Sequence, residues 1–229
     1  MLIASFAAGP LAANCYLLAA SPGADCVVVD PGMDAFDTLS DVVAEHRLTP
    51  VAVLLSHGHL DHVADAAAVA SRWSLPCWVH AADRYMLGDP MAALPAQMHP
   101  LVAPPGEPAP VFVEPTDLRT YVDGERLVLA GLEVAVTFAP GHTGGSVLLR
   151  TAYPDDASID SVLLSGDVLF AGSIGRTDLP GGDHTRMLDT LRHLSQLPDS
   201  VVVLPGHGAQ TTMARERAQN AFLSASYLS

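Results

Sequence analysis

The sequence predicts an α/β fold in which β-sheets are enclosed by helices. Short apolar runs, bounded by glycine, proline or aspartate, alternate along the chain with stretches that have the periodicity of amphipathic helices. Hairpins occur together with crossover helices, which favours sheets sandwiched by helices over one doubly wound parallel sheet. A chain of 229 residues is a common size for one layered α/β domain. We therefore expect a single domain over residues 1–229.

Strands in the first half are predicted where the apolar runs are continuous. These runs are CVVVD at 26–30, VAVLL at 51–55 and LPCWVH at 75–80. Apolar residues at helical spacing predict amphipathic helices at 35–47 and 64–73. The first half therefore alternates strand and helix.

Residues 88–117 are rich in proline, which prevents long regular structure. A loop of this length is usually a lid or a binding loop. We expect this segment to contribute most to substrate selectivity.

The second half is predicted to contain a hairpin, three further strands and two helices. The hairpin spans 126–139 and turns at Gly131. The strands are expected at 146–150, 161–165 and 201–205, and the helices at 184–197 and 212–225.

Composition excludes several classes of function. The formal net charge is −14, and all eleven basic side chains are arginine, so lysine nucleophiles and P-loops are excluded. The negative charge also disfavours binding of nucleic acid. No apolar run reaches the roughly 18 residues of a membrane span, and the N-terminus lacks the basic segment of a signal peptide. We expect a cytoplasmic protein that acts on a small molecule.

Cys15, Cys26 and Cys77 lie in or beside apolar stretches. Their odd number and their apolar surroundings favour packed free thiols over disulfides.

Four predicted strands each end in a turn that carries histidine or aspartate. The turns are SHGHLDH after VAVLL, GHT after VAVTFAP, GD after SVLLS and GHG after VVVLP. Together they offer His57, His59, Asp61, His62, His142, Asp167 and His207. Strand ends at one edge of a sheet converge, and ligands bind there in α/β proteins. Seven donors exceed the needs of one tetrahedral zinc ion but suffice for two metals that share a bridging carboxylate.

Each donor alone has a structural interpretation. Asp61 could cap a helix, His142 or His207 could be a hydrogen-bonded structural residue, and Asp167 could belong to a turn. Their joint occurrence at four strand ends favours a metal site. Five other histidines lack ligand spacing and are expected at the surface or in the core: His46, His80, His99, His184 and His193.

The chain resembles the metallo-β-lactamase superfamily. HGHLDH matches the HxHxDH signature of that family, and the resemblance extends over NCYLL (14–18), VVVDPG (27–32), PGHTGGS (140–146), GDVLFAGSIGRTDLPGGD (166–183) and LPGHG (204–208). It implies a four-layer αββα sandwich with the metal site between two sheets. In that pattern His57, His59 and His142 bind the first metal. Asp61, His62 and His207 bind the second, Asp167 bridges, and Asp61 also orients the nucleophile.

The stretch 166–183 looks most like the glyoxalase II-like, or hydroxyacylglutathione hydrolase-like, branch of this superfamily. This resemblance implies cleavage of a thioester of the S-lactoylglutathione type by a hydroxide that bridges two divalent ions. We expect zinc, with iron or manganese as alternatives. True β-lactamases of the fold commonly lack the second histidine of the DH pair, so His62 implies an activity other than lactam hydrolysis.

Two other activities remain open. A mononuclear iron persulfide (sulfur) dioxygenase would need only His57, His142 and Asp167, and a lactonase is a weaker alternative. Longer glyoxalase II enzymes hold glutathione with a C-terminal helical domain and lysines. This sequence has no lysine and ends 22 residues after His207, so we expect glutathione not to be held by the same residues.

Two further residues are candidates for roles around the metals. Arg176 is the nearest basic residue that could bind a substrate carboxylate, unless it forms an ion pair with Asp178 or Asp183. Asp30 could fix a ligand imidazole by a hydrogen bond, unless it serves only the turn before Pro31.

Overall fold

Two six-stranded sheets form the middle layers of the computed structural model, which describes residues 1–95, 97, 99–102 and 111–229. The first sheet has the order β1-β2-β3-β4-β5-β6. Its strands are β1 Leu2–Ala8, β2 Ala13–Ala19, β3 Asp25–Val29, β4 Thr49–Leu54, β5 Cys77–Val79 and β6 Leu118–Thr120. Antiparallel pairing joins β1, β2 and β3, and parallel pairing joins β3 to β6.

The second sheet is built from the rest of the chain. Its strands are β7 Arg126–Leu129, β8 Leu132–Phe138, β9 Val147–Ala152, β10 Ser161–Gly166, β13 Val201–Pro205 and β14 Thr211–Thr212, in the order β14-β13-β10-β9-β8-β7. A small separate sheet pairs β11 Leu169–Phe170 with β12 Ser173–Ile174. The pairing makes β8, β10 and β13 run in the same direction, so their carboxyl ends share one edge.

The helices connect the strands or follow them. They are α1 Phe36–His46, α2 Leu60–Val63, α3 Ala66–Trp73, α4 Tyr85–Gly88, α5 His99–Val102, α6 His184–Leu194 and α7 Met213–Gln219, with short 3-10 helices at Pro90–Ala93 and Ala221–Leu223. Within the described residues no helix has the length and apolar character needed to cross a membrane.

Three apolar clusters define four layers, which confirms the predicted αββα sandwich. In β3, Val27 and Val29 face the cluster between the sheets, whereas Val28 faces the cluster under α1 and α3. Side chains alternate in this way because successive residues of a strand point to opposite faces. The third cluster packs α6 and α7 against the outer face of the second sheet. Strands buried on both faces need continuous apolar runs, which explains the sequence pattern.

The predicted strands and the helices at 35–47 and 184–197 are present, with shifted ends. The helix predicted at 64–73 is present as α3 Ala66–Trp73, which begins two residues later because Ala64 and Asp65 form a turn after α2. Asp65 leaves the helical pattern because its amide donates to the Pro31 carbonyl, at 3.1 Å. Its carboxylate accepts a hydrogen bond from the amide of Ala35, which precedes α1, and another from the amide of Phe36, the first residue of α1.

The predicted closing helix at 212–225 was wrong beyond residue 219. Asn220 adopts an extended conformation and its side chain accepts a hydrogen bond from the Phe222 amide. This contact ends α7 and starts the 3-10 helix Ala221–Leu223.

The proline-rich segment 88–117 contains only short helical turns where it is described. Residues 96, 98 and 103–110 of this predicted loop lie outside the described residues. The three cysteines are free and buried, as predicted.

Candidate metal centre

The seven predicted ligands meet between the two sheets. His57 and His59 lie in the turn after β4, and Asp61 and His62 lie in the first turn of α2. His142, Asp167 and His207 follow β8, β10 and β13, whose carboxyl ends share an edge. A hydrogen bond of 2.8 Å from the Val147 amide to the Ser56 carbonyl ties the end of β4 to the second sheet. Both sheets therefore contribute donors.

His57, His59 and His142 form the first group of donors. Their ring centroids are 4.6–4.9 Å apart, and the planes of each pair are nearly perpendicular. His59 Nδ1 lies 2.8 Å from His142 Nε2. These are the residues that the family pattern assigns to one metal, and the structure brings them together.

Asp61, His62 and His207 form the second group. His207 Nε2 lies 3.2 Å from Asp61 Oδ2 and 3.3 Å from His62 Nε2. An ion with bonds of about 2.0–2.1 Å to imidazole nitrogens in a tetrahedral site holds them about 3.4 Å apart. The separation in the second group fits one shared ion.

Asp167 lies between the two groups. Its Oδ1 is 3.3 Å from His62 Nε2, and its Oδ2 is 3.4 Å from His207 Nε2 and 3.6 Å from His142 Nε2. One carboxylate therefore faces histidines of both groups. This position is suitable for a bridging ligand.

Three buried atoms of the candidate ligands show whether the site suits metal ions. His57 Nε2, His59 Nε2 and Asp167 Oδ1 are buried and have no hydrogen-bond partner among the described residues. Buried polar atoms are nearly always paired, so these three need a partner that the described part of the chain does not supply. Imidazole nitrogen and carboxylate oxygen are ordinary ligands of divalent zinc, iron and manganese. The donor set fits such ions.

The two groups differ in their electrostatics. Burial lowers the pKa of His57 well below its usual value and that of His59 to about 3. In the second group burial also acts to lower the pKa of each histidine, but the carboxylates outweigh it. Contacts with Asp167 and Asp61 raise the pKa of His62 well above its usual value and that of His207 to about 9.

Asp30 contacts a residue of the second group. Its carboxylate accepts hydrogen bonds from the Ser56 amide and hydroxyl, at 2.7 and 2.6 Å, and lies 3.1 Å from His62 Nδ1. Its main chain has a positive φ of 51° just before Pro31. The carboxylate is thus placed to orient the His62 imidazole.

The Arg176 side chain forms the ion pair rather than an open carboxylate site. Its guanidinium donates to both oxygens of Asp178, at 2.6 and 2.7 Å. Asp183, the other candidate partner, instead caps α6. The Arg176 carbonyl accepts a hydrogen bond of 2.8 Å from His142 Nδ1. Arg176 therefore orients a predicted ligand through its main chain.

Sequence reasoning missed Asp83, which links the two ligand loops. Its Oδ2 accepts hydrogen bonds from the Gly58 amide at 3.0 Å and the Thr143 hydroxyl at 2.6 Å. The available signal was its position just after the strand predicted at 75–80, which neighbours VAVLL in the parallel sheet.

The N-terminal hairpin supports the loop of His207. The amide of Asn14 donates to the Gly206 carbonyl at 2.7 Å, and the side chain of Asn14 donates to the carbonyls of Pro205 and Gly208. The Tyr16 hydroxyl donates to the Pro205 carbonyl at 2.7 Å. Neither residue was singled out from the sequence.

The five other histidines belong to none of the donor groups found among the described residues. His80, for example, stacks on Phe138 with ring centroids 4.4 Å apart.

A cavity of about 260 Å³ opens beside the donors. Its lining includes the donor residues His59, Asp61, His142, Asp167 and His207 and the apolar residues Leu11, Leu60, Pro90, Leu94, Phe170 and Leu179. Arg176 also lines it. The donors therefore share the cavity with a largely apolar lining.

Residues 8–207 match the sequence profile of the metallo-beta-lactamase superfamily. A protein of Mycobacterium tuberculosis is 45% identical over 225 residues, covering 97% of this chain and 98% of that protein. The probable metallo-hydrolase YqgX of Bacillus subtilis is 34% identical and covers 94% of both chains. The hydroxyacylglutathione hydrolase GloC of Haemophilus influenzae is 31% identical, covering 87% of this chain and 88% of that one.

Solved structures agree with these matches. The crystal structure of the BLEG-1 B3 metallo-beta-lactamase is 35% identical, with a TM-score of 0.81, and covers 98% of this chain and 100% of that chain. The structure of TTHA1623 in a di-iron-bound form is 34% identical, with a TM-score of 0.77. The match covers 96% of this chain and 99% of that chain.

Proposed function

Because the chain belongs to the metallo-β-lactamase superfamily, we propose that it is a metal-dependent hydrolase of thioesters, close to the glyoxalase II-like branch. The observation that carries the proposal is the position of Asp167 between two groups of three donors. The likeness to the hydroxyacylglutathione hydrolase of Haemophilus influenzae supports a thioester as the substrate. Thioesters of the hydroxyacyl-glutathione type are therefore the first substrates to test.

In this proposal His57, His59 and His142 would hold one divalent ion. Asp61, His62 and His207 would hold another, and Asp167 lies where it would serve both. Bound at these positions, divalent ions supply a water with a pKa lowered toward about 7 and a Lewis acid for the substrate carbonyl.

The chain's own residues orient the reacting groups. Asp61 accepts a hydrogen bond from the nucleophilic water and holds it in line with the carbonyl carbon. The Arg176 carbonyl fixes the proton of His142 on Nδ1, so that the lone pair of Nε2 can bind a metal ion. Asp30 fixes the ring of His62 in the same way. The thiolate is a good leaving group and needs no acid from the chain.

Zinc is proposed as the metal, with iron as the alternative. Imidazole and carboxylate donors suit both. The likeness to TTHA1623 in its di-iron form favours the test of iron.

Lactam hydrolysis is the second candidate. BLEG-1, at 35% identity and a TM-score of 0.81, is a B3 metallo-β-lactamase. This likeness supports a test of lactam hydrolysis alongside the thioester. The thioester is preferred because the sequence of residues 166–183 looks like the glyoxalase II-like branch.

The decisive experiment combines metal analysis of the purified protein with three assays. The substrates are S-lactoylglutathione, a chromogenic cephalosporin and glutathione persulfide with oxygen consumption. About two ions per chain together with thiol release are expected. One iron per chain with oxygen uptake would replace the proposal with a dioxygenase, and cephalosporin turnover without thiol release would replace it with a lactamase. A protein that binds no metal would overturn all three.

Asp167→Ala tests the bridging position. We expect loss of at least one ion and a fall in turnover of about 100-fold or more, because both donor groups lose a shared ligand. Asp156→Ala, at an exposed aspartate outside the site, is the matched control. Normal metal content and turnover in Asp167→Ala would contradict the bridging assignment.

A further inference from the structure

We propose that the substrate carries an apolar acyl group that binds in the cavity beside the metal donors, and that the charged ends of glutathione are not bound. This inference rests on the proposed thioester hydrolysis and narrows its substrate class. It starts from the walls of the cavity and the charges around them.

The apolar wall of the cavity comes from separate parts of the chain. Leu11 lies between β1 and β2, Leu60 begins α2, and Phe170 ends β11. Pro90, Leu94 and Leu179 complete the wall. Apolar side chains from several parts of the chain therefore meet in one surface, and such a surface binds apolar groups of matching shape.

Phe170 places this wall directly beside the second donor group. Its ring centroid lies 6.0 Å from that of His207, with the rings nearly perpendicular. A carbonyl held at the donors would therefore direct its substituent toward apolar side chains. Burial of that substituent contributes roughly 0.8 kcal/mol per methylene.

The charges near the cavity do not suit glutathione, which has two carboxylates. Of the arginines in the described ranges, only Arg176 lines the cavity, and Asp178 already occupies its guanidinium through two hydrogen bonds. Recognition of a carboxylate normally uses a free, bidentate guanidinium. The cavity wall offers none.

The volume of the cavity also points to part of a substrate. About 260 Å³ is slightly below the roughly 300–1,000 Å³ of pockets that enclose drug-sized ligands. The cavity can hold an acyl chain, and the thiol part then extends into solvent. Selectivity for the acyl group should exceed selectivity for the thiol.

The test is a matrix of substrates with the metal-loaded full chain. Acetyl, butanoyl, hexanoyl and lactoyl groups are each joined to glutathione and to the small neutral thiol N-acetylcysteamine. We expect kcat/KM to rise by about fourfold per methylene from acetyl onward, until the cavity is filled. Exchange of glutathione for N-acetylcysteamine should change kcat/KM by less than about threefold, since no charged contact is lost.

Two variants test the wall independently of the thiol. Leu94→Ser and Leu179→Ser should lower kcat/KM for hexanoyl thioesters more than for acetyl thioesters, because the longer chain buries more apolar surface against the wall. Val128→Ser, at a residue that is 76% exposed on the second sheet, should leave the whole series unchanged. Calorimetry with S-hexyl and S-methyl thioethers of N-acetylcysteamine, which are not hydrolysed, should show tighter binding of the hexyl compound.

The outcomes separate this inference from the function on which it rests. One result would overturn the preference for an apolar acyl group but keep the proposed thioester hydrolysis. In that result thiol release is fastest with lactoylglutathione, is independent of chain length and is lost with N-acetylcysteamine thioesters. Failure to release thiol from every substrate would overturn the proposed function itself.

Discussion

The Asp83 carboxylate accepts a hydrogen bond of 2.6 Å from the Thr143 hydroxyl and one of 3.0 Å from the Gly58 amide. Gly58 lies between His57 and His59, and Thr143 follows His142. One carboxylate therefore connects the loops that carry the whole first donor group. Burial raises the pKa of Asp83, and the hydrogen bonds from Thr143 and Gly58 partly offset this effect.

Asp83→Ala should lower metal affinity by about 10–100-fold, as removal of a group that orients ligands commonly does. Thr143→Val should have a smaller effect in the same direction, because Gly58 remains bound to Asp83. Affinity is measured by competition with a chromophoric chelator. Asp117→Ala is the control, since Asp117 pairs with Arg119 on the surface. Equal affinity in Asp83→Ala and Asp117→Ala would show that the connection does not position the ligands.

Asp30→Asn should weaken the second metal position. The Ser56 amide, the Ser56 hydroxyl and His62 Nδ1 surround both carboxylate oxygens, and an amide accepts through only one of its two atoms. We expect about a tenfold loss of affinity for one ion, seen as a second, weaker phase in metal titration. Asp34→Asn is a matched control because Asp34 is exposed and also has a positive φ. A single unchanged phase in Asp30→Asn would argue against this role.

Gly206→Ala should damage the centre by steric overlap. A Cβ at this position would lie 2.2 Å from Asp167 Oδ1 and 2.8 Å from His62 Cε1. Such overpacking commonly costs about 1–3 kcal/mol of unfolding free energy, and here it also displaces two predicted ligands. Thermal denaturation and metal analysis measure both effects. In Gly88→Ala the added carbon meets nothing closer than 3.9 Å, so this variant should behave as the wild type. Full metal content in Gly206→Ala would mean that the loop moves freely.

Arg176→Gln should leave the hydrolysis of glutathione thioesters nearly unchanged, within about threefold in kcat/KM, because the exposed ion pair with Asp178 contributes little. The carbonyl that contacts His142 is retained in this variant. Steady-state kinetics with both thiol series checks the prediction. A rise in KM confined to glutathione thioesters would instead assign a substrate carboxylate to Arg176.

The sequence predicted that the candidate donors converge because they follow a local rule. Each lies in a turn directly after an apolar strand, and parallel strands bring such turns to one edge. The exception is that β4 belongs to the first sheet, whereas β8, β10 and β13 belong to the second. Sequence spacing alone could not show that the donors lie between two sheets. That expectation came from the family resemblance.

The residues that orient the donors were harder to find. Asp83 and Thr143 are separated by 60 positions in the chain, and Tyr16 and Pro205 by 189. No periodicity connects residues at such distances. Asp30 was noticed because it ends a strand, whereas Asn14 and Tyr16 lie within a strand of a hairpin that the sequence did not predict.

The hairpin β1–β2 has a different effect on the two metal positions. Asn14 and Tyr16 donate hydrogen bonds to the main chain on both sides of His207, and their side chains form no hydrogen bond to the first donor group within the described residues. The hairpin therefore stabilises the second metal position and not the first. A fusion or substitution that loosens the first strands should yield a half-loaded protein, with metal analysis showing about one ion per chain.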